Sequence, residues 1–340
     1  MAAYGGQRGA GARLCGRLTV AVERWPIAGG FTISRGAKHQ AEVVVATIDD
    51  GTHQGRGECV PYGRYGESVD GVVKTIEALA PKIAQGLARA ELAALLPPGA
   101  GRNALDCALW DIQAKVLGVS AAEIAGLAPL RPVLTALTIS LASPEEMAAR
   151  ARAAGDYPLL KLKLGGDGDA GRMSAVRDAV PDARLIADAN EAWRAEDLER
   201  LLRAAADASV ELVEQPLSAG ADDILEHIVR PVPICADESS HDRNGLAAIA
   251  RRYDAVNIKL DKTGGLTEAL ATAASARALG LKIMAGCMVS TSLSMAPALL
   301  VAQDSDFVDL DGPLLLASDR EPGLVYRSGK ISPPSSGLWG

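Results

Sequence analysis

Short apolar runs recur along the second half of the chain, and most of them end in one or two charged residues. The runs read LLKLKL, LIADAN, VELVEQP, PICADES, AVNIKL, IMAGCM and FVDLDGP, and steps of 22 to 28 residues separate their key polar positions. One strand and the helix that follows it fill such a step. Parallel strands buried on both faces read as apolar runs joined by helical crossovers. The pattern therefore predicts repeated β–α units with a polar residue at the tip of each strand.

Eight such strands can be counted from LTALTISL, after Pro132, to FVDLDG, before Pro313. Eight strands with about seven helices predict a near-complete TIM barrel, and thus an α/β protein. Barrels of this kind gather catalytic residues from distant parts of the sequence at the C-terminal ends of their strands. We predict a catalytic barrel domain at residues 132–317.

The first part of the chain has a different pattern. Residues 1–12 are rich in Gly and Ala and predict a disordered lead-in. Residues 13–131 predict an α+β domain, because alternating strand-like runs with a loop at Ile27–Gly36 precede three helical stretches. Those stretches are Ser68–Leu87, Arg89–Leu96 and Asn103–Leu117. The C-terminal residues 318–340 predict a strand pair that returns to this domain.

Composition narrows the function. The 340 residues are 48% apolar with a net charge of −7, and they contain no blocks of Lys and Arg, which argues against a nucleic-acid surface. Five scattered cysteines without a CxxC motif suggest reduced thiols, and no apolar run approaches a membrane span. We predict a cytoplasmic protein with no nucleic-acid or membrane partner.

Three carboxylates stand at successive strand ends: Asp188, Glu214 and Asp237. Hard oxygen ligands of this kind suit Mg²⁺, whereas a zinc site would call for histidine or cysteine clusters. A single carboxylate at a strand end is often only a helix N-cap. Three in succession, flanked by lysines, favour a metal site.

Lysines flank the carboxylates. Lys161 and Lys163 are two positions apart on one strand and so face the same way, and Lys259 comes four strands after Lys163, across the barrel. We expect mutual repulsion and a nearby Mg²⁺ to lower the pKa of the paired lysines. Two bases on opposite faces of one carbon suit 1,1-proton transfer. A salt-bridge role for Lys259 and a Schiff-base lysine remain as alternatives.

A glycine-rich segment from Gly166 to Gly171 matches the GxGxxG pattern of dinucleotide-binding loops. Asp167 and Asp169 within it would repel a pyrophosphate. We therefore predict that it binds no dinucleotide.

The motifs KLKLGG, ADAN, VEQP, ADES and NIKLDKTGG, in this order, resemble the muconate-lactonizing-enzyme subgroup of the enolase superfamily. With the Asp309-Leu310-Asp311 motif, the stretches GECVPYGRYGES and RNALDCALWD are similar to proteobacterial L-Ala-D/L-Glu (dipeptide) epimerases. The resemblance implies a capping domain over a (β/α)₇β barrel. It also implies inversion of the C-terminal residue of a dipeptide, L-Ala-D-Glu or L-Ala-L-Glu, in murein peptide metabolism.

The resemblance implies a role for each site residue. Asp188, Glu214 and Asp237 would hold one Mg²⁺, backed by Asn190 and Glu238, and Lys163 and Lys259 would be the acid/base pair. Asp309 and Asp311 would bind the α-ammonium group of the dipeptide. Further substrate contacts would come from Thr138, Lys161, Cys287 and Arg35, with Arg35 either holding a side-chain carboxylate or forming a structural salt bridge.

One residue departs from the family pattern: Ser290 stands where many dipeptide epimerases have Glu. Other activities also remain open, namely a dipeptide epimerase of other specificity, a same-scaffold lyase or cycloisomerase such as o-succinylbenzoate synthase or muconate cycloisomerase, and a non-catalytic binding protein. The expected partner is a small dipeptide, and a homo-oligomer is compatible with the sequence.

Overall fold

The computed structural model describes residues 11–340, so the lead-in predicted for residues 1–12 lies outside the described residues except for its last two. The first part of the described chain combines an antiparallel meander of three strands with a separate two-stranded sheet and with helices. The two-stranded sheet pairs β1 (Arg13–Leu14) with β5 (Leu87–Ala88), and the meander consists of β2 (Arg17–Ile33), β3 (Gly36–Asp49) and β4 (Gln54–Cys59). The helices are α1 (Val69–Glu77), α2 (Ala80–Gln85), α3 (Arg89–Leu95), α4 (Ala100–Leu117) and α5 (Ala121–Ile124).

Two local predictions for this part are wrong in detail. The expected loop at Ile27–Gly36 is the end of a long hairpin, because β2 continues past an irregularity at Gly29 and Gly30, whose φ angles are positive, and pairs with β3 again from Phe31. The helix expected at Ser68–Leu87 is two helices. Its second half begins anew with Pro81 in the first turn, where the missing N–H costs no hydrogen bond.

Helix α4 packs closely on strand β4. A Cβ atom at Gly57 would lie 2.1 Å from the carbonyl oxygen of Ala104, and one at Gly55 would lie 2.3 Å from that of Ala108. Only glycine permits this approach of helix to strand. Almost every residue of α4 is buried, since its other side faces the barrel.

The barrel is an eight-stranded parallel sheet in sequential order. Its strands are β7 (Leu137–Ile139), β8 (Leu159–Lys163), β9 (Arg184–Asp188), β10 (Val210–Glu214), β11 (Ile234–Ala236), β12 (Ala255–Ile258), β13 (Lys282–Gly286) and β14 (Phe307–Asp309). The first and last strands meet through a hydrogen bond of 2.8 Å from Ala136 N to Val308 O. The barrel is therefore nearly closed.

Helices connect these strands on the outside: α6 (Pro144–Ala153), α7 (Asp169–Ala179), α8 (Leu198–Asp207), α9 (Leu246–Arg252), α11 (Leu266–Ala278) and α12 (Ser292–Ala302). A short buried helix, α10 (Leu260–Thr263), directly follows β12 and contacts α4. Between β10 and β11 the crossover holds only a 3₁₀ helix at Asp223–Glu226. A further 3₁₀ helix, Gly312–Leu315, follows β14. The arrangement agrees with the expected modified TIM barrel.

The barrel interior is filled by one apolar layer with a residue from each strand or its approach: Ala136, Leu159, Ile186, Leu212, Cys235, Ala255, Met284 and Phe307. Residues two positions apart on a strand share a face. The next inward position on every strand therefore lies directly above this layer, toward the C-terminal ends of the strands.

The C-terminal segment crosses from the barrel to the first part of the chain. Strands β15 (Tyr326–Arg327) and β16 (Lys330–Ile331) form a hairpin that pairs with β6 (Val133–Leu134) at the start of the barrel. The last residues then reach the first part, where Trp339 Nε1 donates to Cys107 O at 3.1 Å. The domain boundary at 131/132 remains a prediction. Among the described helices, none is long and apolar enough to cross a membrane.

Candidate active site

A polar layer sits above the apolar one. Counting two positions from each residue of the apolar layer leads to Thr138, Lys161, Asp188, Glu214, Asp237, Asn257, Gly286 and Asp309. All of these side chains except glycine are buried. At Gly286 a Cβ atom would lie 2.3 Å from Asn257 Oδ1. The side chain of Asn257 therefore fills the space in the layer where β13 would otherwise place a side chain. The structure thus brings together most of the residues that the sequence predicts.

Two lysines lie on opposite sides of this layer, each bonded to a carboxylate. Lys163 Nζ donates to Asp188 Oδ2 at 2.6 Å, and Lys259 Nζ donates to Asp237 Oδ2 at 2.7 Å. Three other strands separate their strands, β8 and β12, in either direction around the barrel. A small molecule between them would meet one ammonium group on each face.

Lys161 lies deeper, among three carboxylates. Its Nζ is 2.6 Å from Glu214 Oε2, 2.6 Å from Asp309 Oδ2 and 3.3 Å from Asp188 Oδ2. The side chain is almost fully buried. Lys161 therefore links the proposed metal ligands to the Asp309-Leu310-Asp311 motif.

The charges of this cluster change one another's pKa values. Burial, together with Asp188, raises the pKa of Glu214 to about 7. Burial alone would lower the pKa of Lys161 and Lys259, but the surrounding carboxylates raise both well above the ordinary lysine value. Asp309, Glu214 and Asp188 are the charges that raise the pKa of Lys161 here, and the predicted lowering, which includes the effect of a bound Mg²⁺, stays a prediction.

The donor set fits a hard divalent cation. As the side chains stand, no group of three or more His, Cys, Asp or Glu residues within residues 11–340 converges tightly enough to hold a metal, because lysine ammonium groups lie between the carboxylates. Two further oxygens, Asn190 Oδ1 and Glu238 Oε2, are buried without a hydrogen-bond partner. Carboxylate and amide oxygens of this kind are the ligands that Mg²⁺ prefers. Asp188, Glu214 and Asp237 could hold the ion.

A cavity of about 820 Å³ opens above the cluster. Its wall includes Thr138, Lys163, Lys259, Cys287, Asp309 and Asp311. Thr138 N donates to Asp311 Oδ2 at 2.6 Å, while Asp309 Oδ1 is buried without a hydrogen-bond partner. Burial and the adjacent Asp309 raise the pKa of Asp311 to about 7. A cation that enters between these two carboxylates would relieve their repulsion.

Arg35 reaches the cavity from the end of the β2–β3 hairpin, but protein groups engage it. Its guanidinium is 2.7 Å from Glu238 Oε1, and it donates to Asn190 O at 3.0 Å and to Tyr62 Oη at 3.1 Å. Burial would lower the pKa of Arg35, but Glu238 and Tyr62 raise it. In this arrangement Arg35 forms the structural ion pair that was one of its two predicted roles.

In the glycine-rich segment 166–171, the side chain of Asp169 binds the backbone amides at the start of the segment. Asp169 accepts hydrogen bonds from Gly165 N, Gly166 N and Trp193 Nε1, at 3.0, 2.7 and 2.8 Å. The amides that a phosphate would need thus bind a carboxylate instead. This contact supports the prediction that the segment binds no dinucleotide.

Three residues of the site were not predicted. Asn257 Nδ2 donates to Glu214 Oε1 at 2.6 Å, Lys262 Nζ donates to Asp237 Oδ1 at 2.6 Å, and Gln215 Oε1 accepts from Asp237 N at 2.9 Å. Strand periodicity could have identified Asn257, two positions before Lys259 on an inward face. Ser290, the departure from the family pattern, is buried and donates to Met288 O.

Comparison with known families matches nearly the whole chain. Residues 16–126 match the mandelate racemase / muconate lactonizing enzyme N-terminal domain, and residues 144–338 match the enolase C-terminal domain-like family. The first match covers the meander and its helices, and the second covers most of the barrel and the C-terminal segment.

Individual relatives extend over the same length. The L-Ala-D/L-Glu epimerase of Escherichia coli (strain K12) is 48% identical over 91% of this chain and 97% of its own. An N-acetyl-D-glutamate racemase of a Pseudoalteromonas species is 44% identical over 88% of this chain and 95% of its own. Both act on glutamate-containing molecules, according to their names.

Two solved structures share the fold. An enolase family member from Agrobacterium tumefaciens with homology to dipeptide epimerases, with bound sodium and L-Ala-L-Glu, superimposes with a TM-score of 0.94 at 55% identity, covering 95% of this chain and 99% of its own. A dipeptide epimerase from Cytophaga hutchinsonii, complexed with Mg and D-Ala-L-Val, gives a TM-score of 0.87 at 26% identity, covering 94% of each chain.

Proposed function

The chain belongs to the mandelate racemase / muconate lactonizing enzyme family of the enolase superfamily, and we propose that it is an isomerase that epimerises dipeptides. The substrate is L-Ala-D-Glu or L-Ala-L-Glu, and the inverted centre is the α-carbon of the C-terminal residue. The relatives named above act on or bind molecules of this class.

A single observation carries the proposal: two lysines approach one cavity from opposite sides, at Lys163 and Lys259, each paired with a buried carboxylate. Inversion at a carbon that carries a removable proton needs a base on one face and an acid on the other. A single lysine would return the proton to the face from which it came.

The cofactor is Mg²⁺, with Asp188, Glu214 and Asp237 as its ligands. When bound, the ion supplies positive charge next to the substrate carboxylate, where negative charge develops as the α-proton leaves. The protein contributes its own cation there, because Lys161 is held by the same carboxylates and cannot turn away. Asn190 and Glu238 flank the ligands and hold the loop of Arg35 near them.

Lys163 and Lys259 exchange roles with the direction of reaction. In one direction Lys163, as the free amine, takes the α-proton, and Lys259, as the ammonium ion, delivers a proton to the opposite face. In the other direction Lys259 is the base. Both lysines are largely buried, which limits contact with water during the proton transfer, and each exchanges its own protons with solvent between turnovers.

The other end of the dipeptide is held by Asp309 and Asp311. An α-ammonium group between them offsets the repulsion between the two carboxylates, which helps to raise the pKa of Asp311. It also supplies a hydrogen-bond donor to Asp309 Oδ1, which otherwise has no partner among the described residues. Charge-assisted hydrogen bonds of this type are the strong ones. Thr138 and Cys287 line the same wall, and Arg35 selects the glutamate side chain by exchanging Glu238 for the substrate carboxylate.

The substrate chemistry suggests a place in the cell. Peptides that contain D-Glu derive from bacterial cell walls, so the reaction fits recycling of cell-wall peptides. Five free cysteines support a reducing compartment, the cytoplasm. A homo-oligomer remains compatible with the fold.

One rival substrate has specific support, since the 44% identical relative is named for N-acetyl-D-glutamate, which lacks the α-ammonium group. A lyase or cycloisomerase of the same scaffold is disfavoured for a related reason, because its substrates carry no ammonium for Asp309 and Asp311.

The test is a screen in D₂O, in which the protein with Mg²⁺ is incubated with dipeptides and with N-acetyl-glutamate and α-deuteration is followed by mass spectrometry. We expect deuterium in the C-terminal residue of L-Ala-D-Glu and L-Ala-L-Glu, with inversion. Deuteration of N-acetyl-glutamate alone would replace the dipeptide proposal. No exchange in any substrate would refute the epimerase.

A further inference from the structure

Each of the three proposed metal ligands turns one oxygen toward the lysines, and a different donor binds its other oxygen. For Asp188 that donor is the backbone amide of Asn190, at 2.9 Å from Oδ1. For Glu214 it is the side-chain amide of Asn257, at 2.6 Å from Oε1. For Asp237 it is the ammonium group of Lys262, at 2.6 Å from Oδ1. Only the third of these donors carries a charge.

The ammonium group of Lys262 makes hydrogen bonds only to Asp237 and to a neighbouring backbone carbonyl among the described residues. Besides Asp237 Oδ1, its Nζ donates to Asp237 O at 2.6 Å and to Asn257 O at 2.9 Å, so all three of its donors have acceptors. None of its side chain is exposed. An ammonium group in such surroundings has no freedom to leave, and it cannot reach the substrate because Asp237 lies between it and the cavity.

The carboxylate of Asp237 is thereby shared between two lysines. Lys262 binds Oδ1 and Lys259 binds Oδ2, at 2.7 Å. A carboxylate that has a permanent cation on one oxygen attracts a second cation less strongly than one without it. On the other side of the barrel, Asp188 Oδ1 accepts from a neutral amide where Asp237 Oδ1 binds Lys262. Asp188 also has a second lysine nearby, since Lys161 Nζ lies 3.3 Å from the Oδ2 that Lys163 binds, but Lys161 is shared with Glu214 and Asp309, whereas Asp237 is the only carboxylate that Lys262 binds among the described residues.

We propose that Lys262 is a positioning residue for the Lys259 half of the reaction. It fixes the orientation of Asp237 toward the metal, and it offsets the charge of Asp237 so that Lys259 can leave this carboxylate and reach the α-carbon. The inference rests on the proposed function, and it predicts an effect that distinguishes the two faces of the substrate.

The experiment compares Lys262→Met and Lys262→Gln with Asn257→Ala, which releases the outer oxygen of Glu214 instead. α-Deuterium exchange is measured separately for the two diastereomers of Ala-Glu, and Lys259→Ala identifies the diastereomer that depends on Lys259. Mn²⁺ binding without substrate is measured by electron paramagnetic resonance. Lys115→Met is the stability control, since Lys115 binds Asp111 and a backbone carbonyl far from the site.

For the Lys262 variants we expect exchange on the Lys259-dependent diastereomer to fall by about 100-fold, and exchange on the other to fall by less than about tenfold, within the range for residues that orient metal ligands. Mn²⁺ affinity should fall by about tenfold. Asn257→Ala should weaken Mn²⁺ binding but slow both diastereomers alike.

Equal losses on both diastereomers in the Lys262 variants would overturn the inference, as would unchanged exchange and Mn²⁺ affinity. Failure of both variants to fold, seen by circular dichroism while Lys115→Met folds, would make Lys262 a purely structural residue and would also overturn it. A wild-type protein that exchanges neither diastereomer would instead refute the proposed function.

Discussion

The Lys163 side and the Lys259 side of the barrel mouth are chemically alike but are held in different ways. Next to Lys259, the short helix α10 is tied to the first part of the chain by buried contacts. Asp261 Oδ1 accepts from Val60 N at 3.0 Å and from Asn103 Nδ2 at 2.8 Å, and Arg102 donates to Thr263 O. These partners belong to α4 and to the chain just after β4, which are deeply buried.

The Lys163 side is covered by the end of the β2–β3 hairpin. The ring of Phe31 lies 5.7 Å from Lys163 Nζ, and Ser34 Oγ donates to Asn190 O at 2.9 Å. The residues of this hairpin end are half-buried or exposed. Segments with few buried contacts open at low free-energy cost. The difference suggests that substrate enters on the Lys163 side while the Lys259 side stays fixed.

The largest expected effect comes from removing either base. In Lys163→Ala and in Lys259→Ala, inversion should fall by about 10³-fold or more, since one face loses its acid/base group. Each variant should still exchange the α-proton of one diastereomer in D₂O, and the two variants should choose opposite diastereomers. Mass spectrometry of the separated products measures this. Exchange of both diastereomers by a single variant would contradict a division between two sides.

Asp311→Asn should reduce activity on both diastereomers equally, because the ammonium group that we propose it binds is at the other end of the dipeptide from the inverted carbon. We expect kcat/KM for L-Ala-L-Glu and L-Ala-D-Glu to fall by about 10- to 100-fold, the equivalent of one charge-assisted hydrogen bond. Steady-state kinetics on both diastereomers tests this. A loss confined to one diastereomer would place Asp311 on one side of the site and not at its end.

Arg35→Leu should act through the exposed hairpin. We expect the preference for a C-terminal glutamate over a neutral residue of similar size to fall by about tenfold, while α-exchange of accepted neutral dipeptides continues. Competition between Ala-Glu and Ala-Gln in one reaction gives the ratio directly. An unchanged ratio would leave Arg35 with only its structural ion pair to Glu238.

The smallest expected effect is on stability, and it concerns Asp261, which ties helix α10 to the first part of the chain on the Lys259 side. Burial raises the pKa of Asp261 to about 7, from an ordinary value of 3.8. The folded protein therefore binds this proton more tightly than the unfolded chain, and the stability it contributes is lost as pH rises from about 4 through 7. In Asp261→Asn the amide oxygen can accept both hydrogen bonds without a buried charge.

The midpoint of thermal unfolding of Asp261→Asn, relative to the parent protein, should thus rise between pH 5 and pH 8. Circular dichroism melts of both proteins at several pH values measure the difference. Curves that run parallel over this range would show that Asp261 does not titrate between the folded and unfolded states.

The sequence by itself determined the barrel, the order of its strands and most of the polar layer. This was possible because strand periodicity is local: a residue two positions beyond an apolar one must share its face, as Asp188 does with Ile186. It did not determine the long hairpin, where pairing resumes beyond Gly30, or the split of the first predicted helix.

Only the tertiary structure decided which charges meet. Lys161, Lys163, Lys259 and Lys262 all carry the same group, yet Lys161 meets three carboxylates, Lys163 meets Asp188, and Lys259 and Lys262 share Asp237. These partners lie up to 148 positions away in the chain. Nothing in the spacing assigns Arg35 to Glu238 or Lys262 to Asp237. Such pairings depend on distances of a few ångströms across the barrel mouth, because ion pairs and hydrogen bonds are short-range, and those distances are set only when strands and capping elements have packed.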